Sequence, residues 1–332
     1  MFIFLFRLIL LKFVILSYCY ASANEDLKNS KKVENIVTVT LLLDWKPNTN
    51  HIGFYVAKAR GFYRQNGIEL KILNPTQTTS TALVGMNKAD FGVSYANNLI
   101  YARNSKIPVK AIAGIISVDT SCFVWRKTLN VKSLKQLEGK RYGGWGSPEE
   151  NATLNFIMNK NGADFTKVKM LTTGVQDFLP ATLKNVDFTW EYKGWNILAA
   201  QLNNVEVDTY CPSEHFAEFN KPSPLIITSD KLITENPKLV QLFMHATKKG
   251  FEYSINNPES AANEMLKLLP ELDSKLVKES VKFLAPLYKG TNINWGYLDI
   301  KKFEIYSKWM KDVNLIKTIP LPKEYLSNEF NN

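Results

Sequence analysis

The segment Leu41–Gly67, LLLDWKPNTNHIGFYVAKARGFYRQNG, begins as an apolar strand, breaks at Pro47 and continues with apolar residues at helical spacing. The short stretch between strand and helix contains an acid, an indole and an imidazole, namely Asp44, Trp45 and His51. A chain that only had to turn would use Gly, Asn or Ser there. We therefore interpret this junction as one wall of a ligand site.

Strand and helix patterns alternate on both sides of that junction. Apolar runs predict strands at IVTVTLLL, IELKIL, ADFGVS and VKAIAGII, then at KRYGG, VKMLTT, VDFTWEY, VEVDTY and PLIIT, and amphipathic segments between them predict helices, the first over 49–65. The alternation predicts an α/β protein with parallel strands. From residue 230 onward the pattern is almost entirely helical, and we expect these helices to cover mainly the first half of the chain.

The length predicts two lobes. A chain of 332 residues with 45% hydrophobic content can bury a core too large for one typical domain. We assign 37–122 and 224–332 to lobe I and 123–223 to lobe II.

An internal repeat supports two similar halves. The segments ADFGVSY (Ala89–Tyr95) and VDFTWEY (Val186–Tyr192) share the order small-apolar, Asp, Phe, any, apolar, polar, Tyr, and each follows a short predicted helix. In open α/β sheets, ligands bind at the carboxyl ends of strands. The repeat therefore predicts that the ends of these two strands form opposite lips of a cleft.

The first 23 residues are predicted to be a signal peptide, followed by a flexible lead-in over 24–36. Their apolar run is interrupted by cations and ends in Ala21–Ala23, a small-x-small cleavage pattern. The alternatives are a membrane anchor, for which the run is too short, and a lipoprotein processed at Cys19, which the preceding Tyr18 disfavours. We expect an exported, periplasmic protein.

Charge and cysteine content exclude several classes. The formal charge of +10 falls by two to +8 without Arg7 and Lys12 of the signal peptide, and the lysines are scattered, which favours a solvated basic surface over nucleic-acid binding. Cys122 and Cys211 are too few for a disulfide scaffold. They could form one bridge, but we expect two buried thiols. No zinc-ligand spacing occurs.

Aromatic and polar residues gather at the predicted strand ends and suit a planar ligand. Flat indole and phenol faces lose little entropy on binding a heteroaromatic ring, and an ionised carboxylate selects donors such as ring amines. Core packing is the alternative for the tryptophans and helix capping the alternative for Glu149. The predicted ligand-binding residues are Asp44, Trp45, Asn50, His51, Ser94, Tyr95, Trp145, Glu149, Trp190 and Glu191.

Catalytic motifs are missing from the sequence. The three histidines are spread along the chain, and neither GxSxG, HExxH nor a Walker loop occurs. We expect a binding protein with no catalytic residue, no metal and no cofactor.

Three segments carry a family resemblance. DWKPNTNHIGFYVAKARGFYRQNGIEL, ADFGVSYANNLIYARNSKIPVKAIAGII and LEGKRYGGWGSPEE resemble the thiamine-pyrimidine family of ABC-transporter substrate-binding proteins, which also contains the fungal thiamine pyrimidine synthase. The resemblance implies a two-lobed type II periplasmic-binding-protein fold. It also implies a monomer that delivers a small planar heteroaromatic compound to an ABC permease.

The synthase branch of that family is the main alternative. There a lysine carries pyridoxal phosphate and a nearby histidine reacts, and these positions are Ser94 and Asn98 here. The cysteine cluster of the synthase is reduced to Cys211. A serine cannot form a Schiff base, so transport is favoured, and a ligand-sensing module is the other alternative.

Overall fold

The computed structural model describes residues 36–75, 77–174, 178–183 and 185–331. The predicted signal peptide and nearly all of the predicted lead-in lie outside these residues. In chain order the strands are β1 (Val37–Leu42), β2 (Ile68–Leu73), β3 (Phe91–Ser94), β4 (Val109–Gly114), β5 (Ser121–Arg126), β6 (Arg141–Gly144), β7 (Lys169–Thr172), β8 (Phe188–Tyr192), β9 (Val207–Tyr210) and β10 (Leu225–Ser229).

The strands form two five-stranded sheets with the same plan. The first has the order β2-β1-β3-β10-β4 and the second β7-β6-β8-β5-β9. In each sheet four strands run in one direction, and one strand, β10 or β5, lies antiparallel between the third and the last. The predicted parallel strands are therefore present, with one antiparallel strand added to each sheet. Both antiparallel strands arrive from the other sheet, so the crossover that returns a strand in parallel within one sheet does not apply to them.

The sequence repeat lies at equivalent places in the two sheets. β3 and β8 are the third strands of their sheets, and Phe91 and Phe188 are fully buried. The preceding aspartates act alike: Asp90 accepts a hydrogen bond from the backbone N–H of Thr40 at 2.7 Å, and Asp187 accepts one from the backbone N–H of Arg141 at 2.8 Å. The repeated Asp therefore ties each third strand to its parallel neighbour.

Helices cover the sheets and connect the strands. In chain order they are α1 (Ile52–Ala59), α2 (Phe62–Gln65), α3 (Ser80–Gly85), α4 (Ala96–Asn104), α5 (Pro148–Lys160), α6 (Phe178–Thr182), α7 (Leu198–Leu202), α8 (Pro212–His215), α9 (Asp230–Glu235), α10 (Pro237–Asn256), α11 (Pro258–Leu268), α12 (Ser274–Lys289), α13 (Ile300–Asp312) and α14 (Pro322–Tyr325). The single helix predicted over 49–65 is divided, because Gly61 adopts a left-handed φ of 71°.

Helix α10 covers the first sheet at very short range. A Cβ atom at Gly250 would lie 2.0 Å from the carbonyl oxygen of Gly53 on α1, so only glycine permits this approach. On the same helix Phe243 stacks on Phe91 of β3, with ring centroids 3.7 Å apart. As expected, this part of the helical third covers the first sheet.

Helix α13 does not pack on the first sheet alone. It also contacts α5 and the segment between β9 and β10. Trp309 on α13 packs edge-on against Phe156 of α5 and Phe219, with ring centroids 6.1 and 4.8 Å away. Its own Tyr306 is fully buried. The last long helix therefore carries side chains into the region between the two sheets. No helix within the described residues has the length and apolarity needed to cross a membrane.

The two cysteines form a disulfide bond. Cys122 at the start of β5 and Cys211 just after β9 lie on adjacent antiparallel strands and are both buried. The expectation of two buried thiols was wrong. It rested on cysteine count, whereas the pairing depends on which strands become neighbours.

Removing this bond should destabilise the chain. The bridge closes a segment with a sequence separation of 89 residues, and such a closure stabilises by about 2–4 kcal/mol. We expect the double variant Cys122→Ala/Cys211→Ala to lower the free energy of unfolding by about that amount in urea titrations. An unchanged unfolding midpoint, with intact mass confirming the bond in the wild type, would contradict this.

Candidate functional site

The junction between β1 and α1 is organised around one buried carboxylate. Asp44 follows β1, and its side chain is only 4% exposed. His51 is fully buried, and its Nε2 lies 2.7 Å from Oδ1 of Asp44. Its Nδ1 accepts the backbone N–H of Asn48 at 3.2 Å. The hydrogen of the ring is therefore on Nε2 and is donated to Asp44.

Asp44 also connects the two sheets through a pair of tyrosines. Tyr95, directly after β3, donates its hydroxyl hydrogen to Oδ2 of Asp44. Tyr192 ends β8, and its ring stacks on that of Tyr95 with centroids 6.5 Å apart. One ring of this stacked pair thus lies directly after β3 and the other at the end of β8.

Hydrogen bonding decides the charge of this network. Burial alone would raise the pKa of Asp44, but hydrogen bonds from His51 and Tyr95 outweigh it, and the pKa of the carboxyl lies below its usual value. Burial, followed by the charge of Asp44, raises the pKa of Tyr95 well above its ordinary value. The site therefore holds an ionised carboxylate beside neutral phenols.

A second polar connection joins the helices α4, α5 and α13. Glu149, in the first turn of α5, accepts hydrogen bonds from the side-chain amide of Asn97 on α4 and from the hydroxyl of Tyr306 on α13. The helix-capping role considered for Glu149 belongs to its neighbour instead. Glu150 accepts from the backbone N–H of Ser147 at 2.8 Å and completes a capping box.

Glu149 lies in an environment that favours its neutral form. Burial raises its pKa to about 7, although the hydroxyl of Tyr306 and the charge of Lys221 act in the opposite direction. Lys221 is 5% exposed and lies 3.4 Å from Asp119. Asp119 precedes β5 and Lys221 precedes β10, so this ion pair joins the two segments that cross between the sheets.

Three aromatic rings form a continuous stack beside the polar groups. Trp190 on β8 stacks on Phe123 of β5, with centroids 5.0 Å apart, and on Trp145, with centroids 6.0 Å apart. Phe123 is fully buried, whereas Trp145 is 44% exposed. The stack therefore runs from the core of the second sheet to an exposed indole face, which suits a flat ligand.

Other predicted residues point into the protein. The hydroxyl of Ser94 pairs with that of Thr81 at 2.5 Å. Glu191 is 6% exposed and accepts a hydrogen bond from the side-chain amide of Asn196. Both residues lie at strand ends, as predicted, but their described contacts stay within their own halves.

Trp45 and Asn50 remain half-buried at the junction. The contacts described for them are local: the ammonium of Lys46 lies 5.8 Å from the Trp45 ring, and the backbone N–H of Asn50 donates to Asn48. The predicted residues therefore fall into separate groups. Asp44, His51 and Tyr95 are connected by hydrogen bonds, and Trp145 stacks on Trp190. Glu149 bonds to Asn97 and Tyr306, and the remaining predicted residues make local contacts.

Sequence reasoning missed several members of the site. Tyr192 was available from the repeat, because it stands where Tyr95 stands in the first copy. Asn97 follows Tyr95 by two residues at the same lip. Lys221 and Tyr306 carry no comparable signal, since Tyr306 is separated from Glu149 by 157 residues and lies in an ordinary amphipathic helix.

Metal and cofactor binding receive no added support from this geometry. Among the described residues, no three His, Cys, Asp or Glu side chains are grouped as a metal ion would require. The ionised Asp44, the near-neutral Glu149 and the exposed Trp145 can instead accept hydrogen bonds from, and stack on, a small polar ring.

Solved structures share the fold. The aliphatic sulphonate binding protein of Escherichia coli aligns with a TM-score of 0.65 at 11% identity, covering 87% of this chain and 92% of that one. A putative sulfonate ABC transporter's periplasmic sulfonate-binding protein from Methylobacillus flagellatus gives a TM-score of 0.62 at 16% identity, covering 90% and 93%. The two-sheet architecture is therefore the periplasmic-binding-protein fold, as the resemblance implied.

Sequence comparison then identifies the family. The model described as NMT1/THI5 like matches residues 48–261, and the chain belongs to that family. It is 22% identical to the formylaminopyrimidine-binding protein of Halalkalibacterium halodurans over 91% of both chains. It is also 26% identical to the 4-amino-5-hydroxymethyl-2-methylpyrimidine phosphate synthase of Legionella pneumophila, over 83% of this chain and 87% of that one.

Glu149 should make stability depend on pH. Its pKa is about 7 in the folded chain against an ordinary 4.5, so the stability linked to its protonation is complete below about pH 4.5 and is lost as the pH rises through about 7. Because the residue is only partly shielded, we expect the wild type to lose roughly 1–2 kcal/mol between pH 5 and pH 8. Glu149→Gln should lack this loss in urea titrations at both pH values.

The matched control for this measurement is Glu138→Gln. A hydrogen bond from the backbone of Asp164 lowers the pKa of Glu138, so it stays ionised across this interval. Its variant should keep the wild-type difference between pH 5 and pH 8. Equal pH dependence in the wild type and Glu149→Gln would show that Glu149 titrates normally.

Proposed function

We propose that this chain is the extracytoplasmic solute-binding component of an ABC importer for a thiamine-precursor pyrimidine or a similar planar heteroaromatic compound. One observation carries the proposal. The ends of the equivalent strands β3 and β8 meet at Tyr95 and Tyr192, with the carboxylate of Asp44 on one side. In this fold, strand ends that face each other are where a ligand is held.

The chemistry of the site suits an amino-substituted ring. Carboxylate oxygens accept hydrogen bonds and cannot donate them, so the ionised Asp44 favours ligands with N–H groups, and the carbonyl oxygen of Glu149 accepts from such groups in either protonation state. The exposed indole of Trp145 offers a stacking surface for a planar ring, and its orientation is fixed by stacking on Trp190. A neutral or cationic aminopyrimidine satisfies both requirements, whereas an anionic ligand would meet the negative charges of Asp44 and Asp119.

The relatives support the same assignment. One is named for binding formylaminopyrimidine, and the periplasmic structural neighbour from Methylobacillus flagellatus belongs to an ABC transporter. We further propose that the chain is monomeric and that its partner is an ABC permease. We also propose two lobes, lobe I over 37–122 and 224–332 and lobe II over 123–223. Cleavage of a signal peptide after Ala23 and a periplasmic location belong to the same proposal. The Cys122–Cys211 bond is consistent with an oxidising compartment.

A synthase is the second candidate, favoured by the similarity to the Legionella pneumophila enzyme. Against it, the lysine position of the synthase is Ser94, which is 1% exposed and hydrogen-bonded to Thr81. A hydroxyl cannot form the Schiff base that holds pyridoxal phosphate. We therefore assign binding, with ligand sensing for a receptor as a further possibility within the same site.

Calorimetry with two probes tests this proposal. Formylaminopyrimidine or 4-amino-5-hydroxymethyl-2-methylpyrimidine should bind the wild-type chain and produce heat. Trp145→Ala should weaken that binding about tenfold, since it removes a stacking face worth about 1.4 kcal/mol. Phe283→Ala removes another exposed aromatic side chain, on α12, and should leave the affinity unchanged.

Two results would contradict the proposed function. Binding of neither pyrimidine by the wild type would exclude this ligand class. An absorbance change on adding pyridoxal phosphate, with pyrimidine formed in a single turnover, would favour the synthase instead.

A further inference from the structure

Lys221 has more hydrogen-bonding capacity than the described residues use. It is 5% exposed, and burying an ammonium group is costly unless its three N–H groups find acceptors. The described residues supply one hydrogen bond, to Asp119 at 3.4 Å, and the face of the Tyr306 ring, whose centroid is 4.1 Å from Nζ. Two N–H groups are therefore without an acceptor oxygen within the described part of the chain.

Tyr101 contributes a second donor near the same carboxyl group. It lies on α4, one helical turn after Asn97, so both side chains share one face of that helix. Its hydroxyl oxygen is buried and has no hydrogen-bond partner among the described residues. Burial and then the charge of Glu149 raise the pKa of Tyr101 to about 12, so its hydroxyl keeps its hydrogen. Buried polar groups in folded proteins are normally hydrogen-bonded.

Glu149 lies electrostatically close to both donors and still has acceptor capacity. It accepts from Asn97, one turn before Tyr101 on α4, and from Tyr306, whose ring centroid lies 4.1 Å from Nζ of Lys221. A carboxylate offers about four lone-pair sites, and Asn97 and Tyr306 occupy two of them. Two unused donors and one partly used acceptor therefore belong to a single cluster formed by α4, α5, α13 and the segment before β10.

We propose that Lys221, Tyr101 and Glu149 form a subsite for a secondary amide substituent of the ligand. The amide oxygen accepts from Lys221 and Tyr101, and the amide N–H donates to Glu149. A group that is only a donor would leave Lys221 and Tyr101 without acceptors. A phosphate would satisfy them but would meet the negative charge of Glu149 and Asp119.

This subsite rests on the proposed function and narrows the proposed ligands from planar heteroaromatic compounds to those with a secondary amide substituent. A formylamino group is such an amide and carries both a carbonyl oxygen and an N–H. The hydroxymethyl group of the related pyrimidine has a single oxygen and no amide. The subsite therefore favours formylaminopyrimidine over 4-amino-5-hydroxymethyl-2-methylpyrimidine, and it disfavours the phosphate of the latter.

Tyr101→Phe is the sharpest test, because it removes one hydroxyl without depriving any described residue of a hydrogen bond. Calorimetry should show that the Kd for formylaminopyrimidine rises about fivefold to tenfold, the effect of one lost hydrogen bond. The Kd for 4-amino-5-hydroxymethyl-2-methylpyrimidine should stay within about twofold of the wild type. Tyr63→Phe is the control, because it removes a buried hydroxyl bonded to Thr247 outside this cluster, and both Kd values should be unchanged.

Lys221→Met is the second variant, measured after urea titration has confirmed that it folds. It should weaken formylaminopyrimidine more than Tyr101→Phe does and again spare the hydroxymethyl compound. Equal losses for the two probes, or no loss with either variant, would overturn the subsite while leaving the proposed function intact. Binding of neither probe by the wild type would remove both proposals.

Discussion

A buried carboxylate fixes the arrangement of this site. Asp44 is ionised in a place that water hardly reaches, and such a charge is tolerated only when hydrogen-bond donors surround it. His51 provides one donor and thereby sets where the first helical segment begins. Tyr95 provides the other and thereby sets how β3 ends. The ring of Tyr95 stacks on that of Tyr192 at the end of β8, so the residue that satisfies this charge also contacts the second sheet.

The repeated segment shows how much of this could be predicted. The shared order of residues in Ala89–Tyr95 and Val186–Tyr192 correctly indicated equivalent strands, because a short apolar run after a helix is visible in a single sequence. The repeat also ends in Tyr95 in one copy and in Tyr192 in the other, but the contact between these two residues was not predicted. Local patterns thus predicted the α/β class and most elements.

What the sequence did not indicate depends on contacts between distant segments. The antiparallel strands β5 and β10 each arrive from the other sheet, and nothing in their composition marks that direction. The Cys122–Cys211 bond requires β5 and β9 to be neighbours. Tyr306 reaches Glu149 from a helix whose apolar spacing looks ordinary. In each case the role of the residue depends on which elements become neighbours in the fold. A single sequence does not contain that information.

Most polar groups of the candidate site are already hydrogen-bonded within the protein. In the proposed function, discrimination between ligands therefore depends on the few donors that lack an acceptor among the described residues. Asp44, Tyr95 and Glu149 already bond to one another or to protein partners, so a ligand that reaches them exchanges one hydrogen bond for another, and the net gain is small. Lys221 and Tyr101 differ, because an acceptor that reaches them satisfies groups that the described protein leaves without one. For the function that we propose, ring amines and stacking supply general affinity for planar heterocycles, while the choice among such heterocycles depends on whether the substituent carries an acceptor at this position.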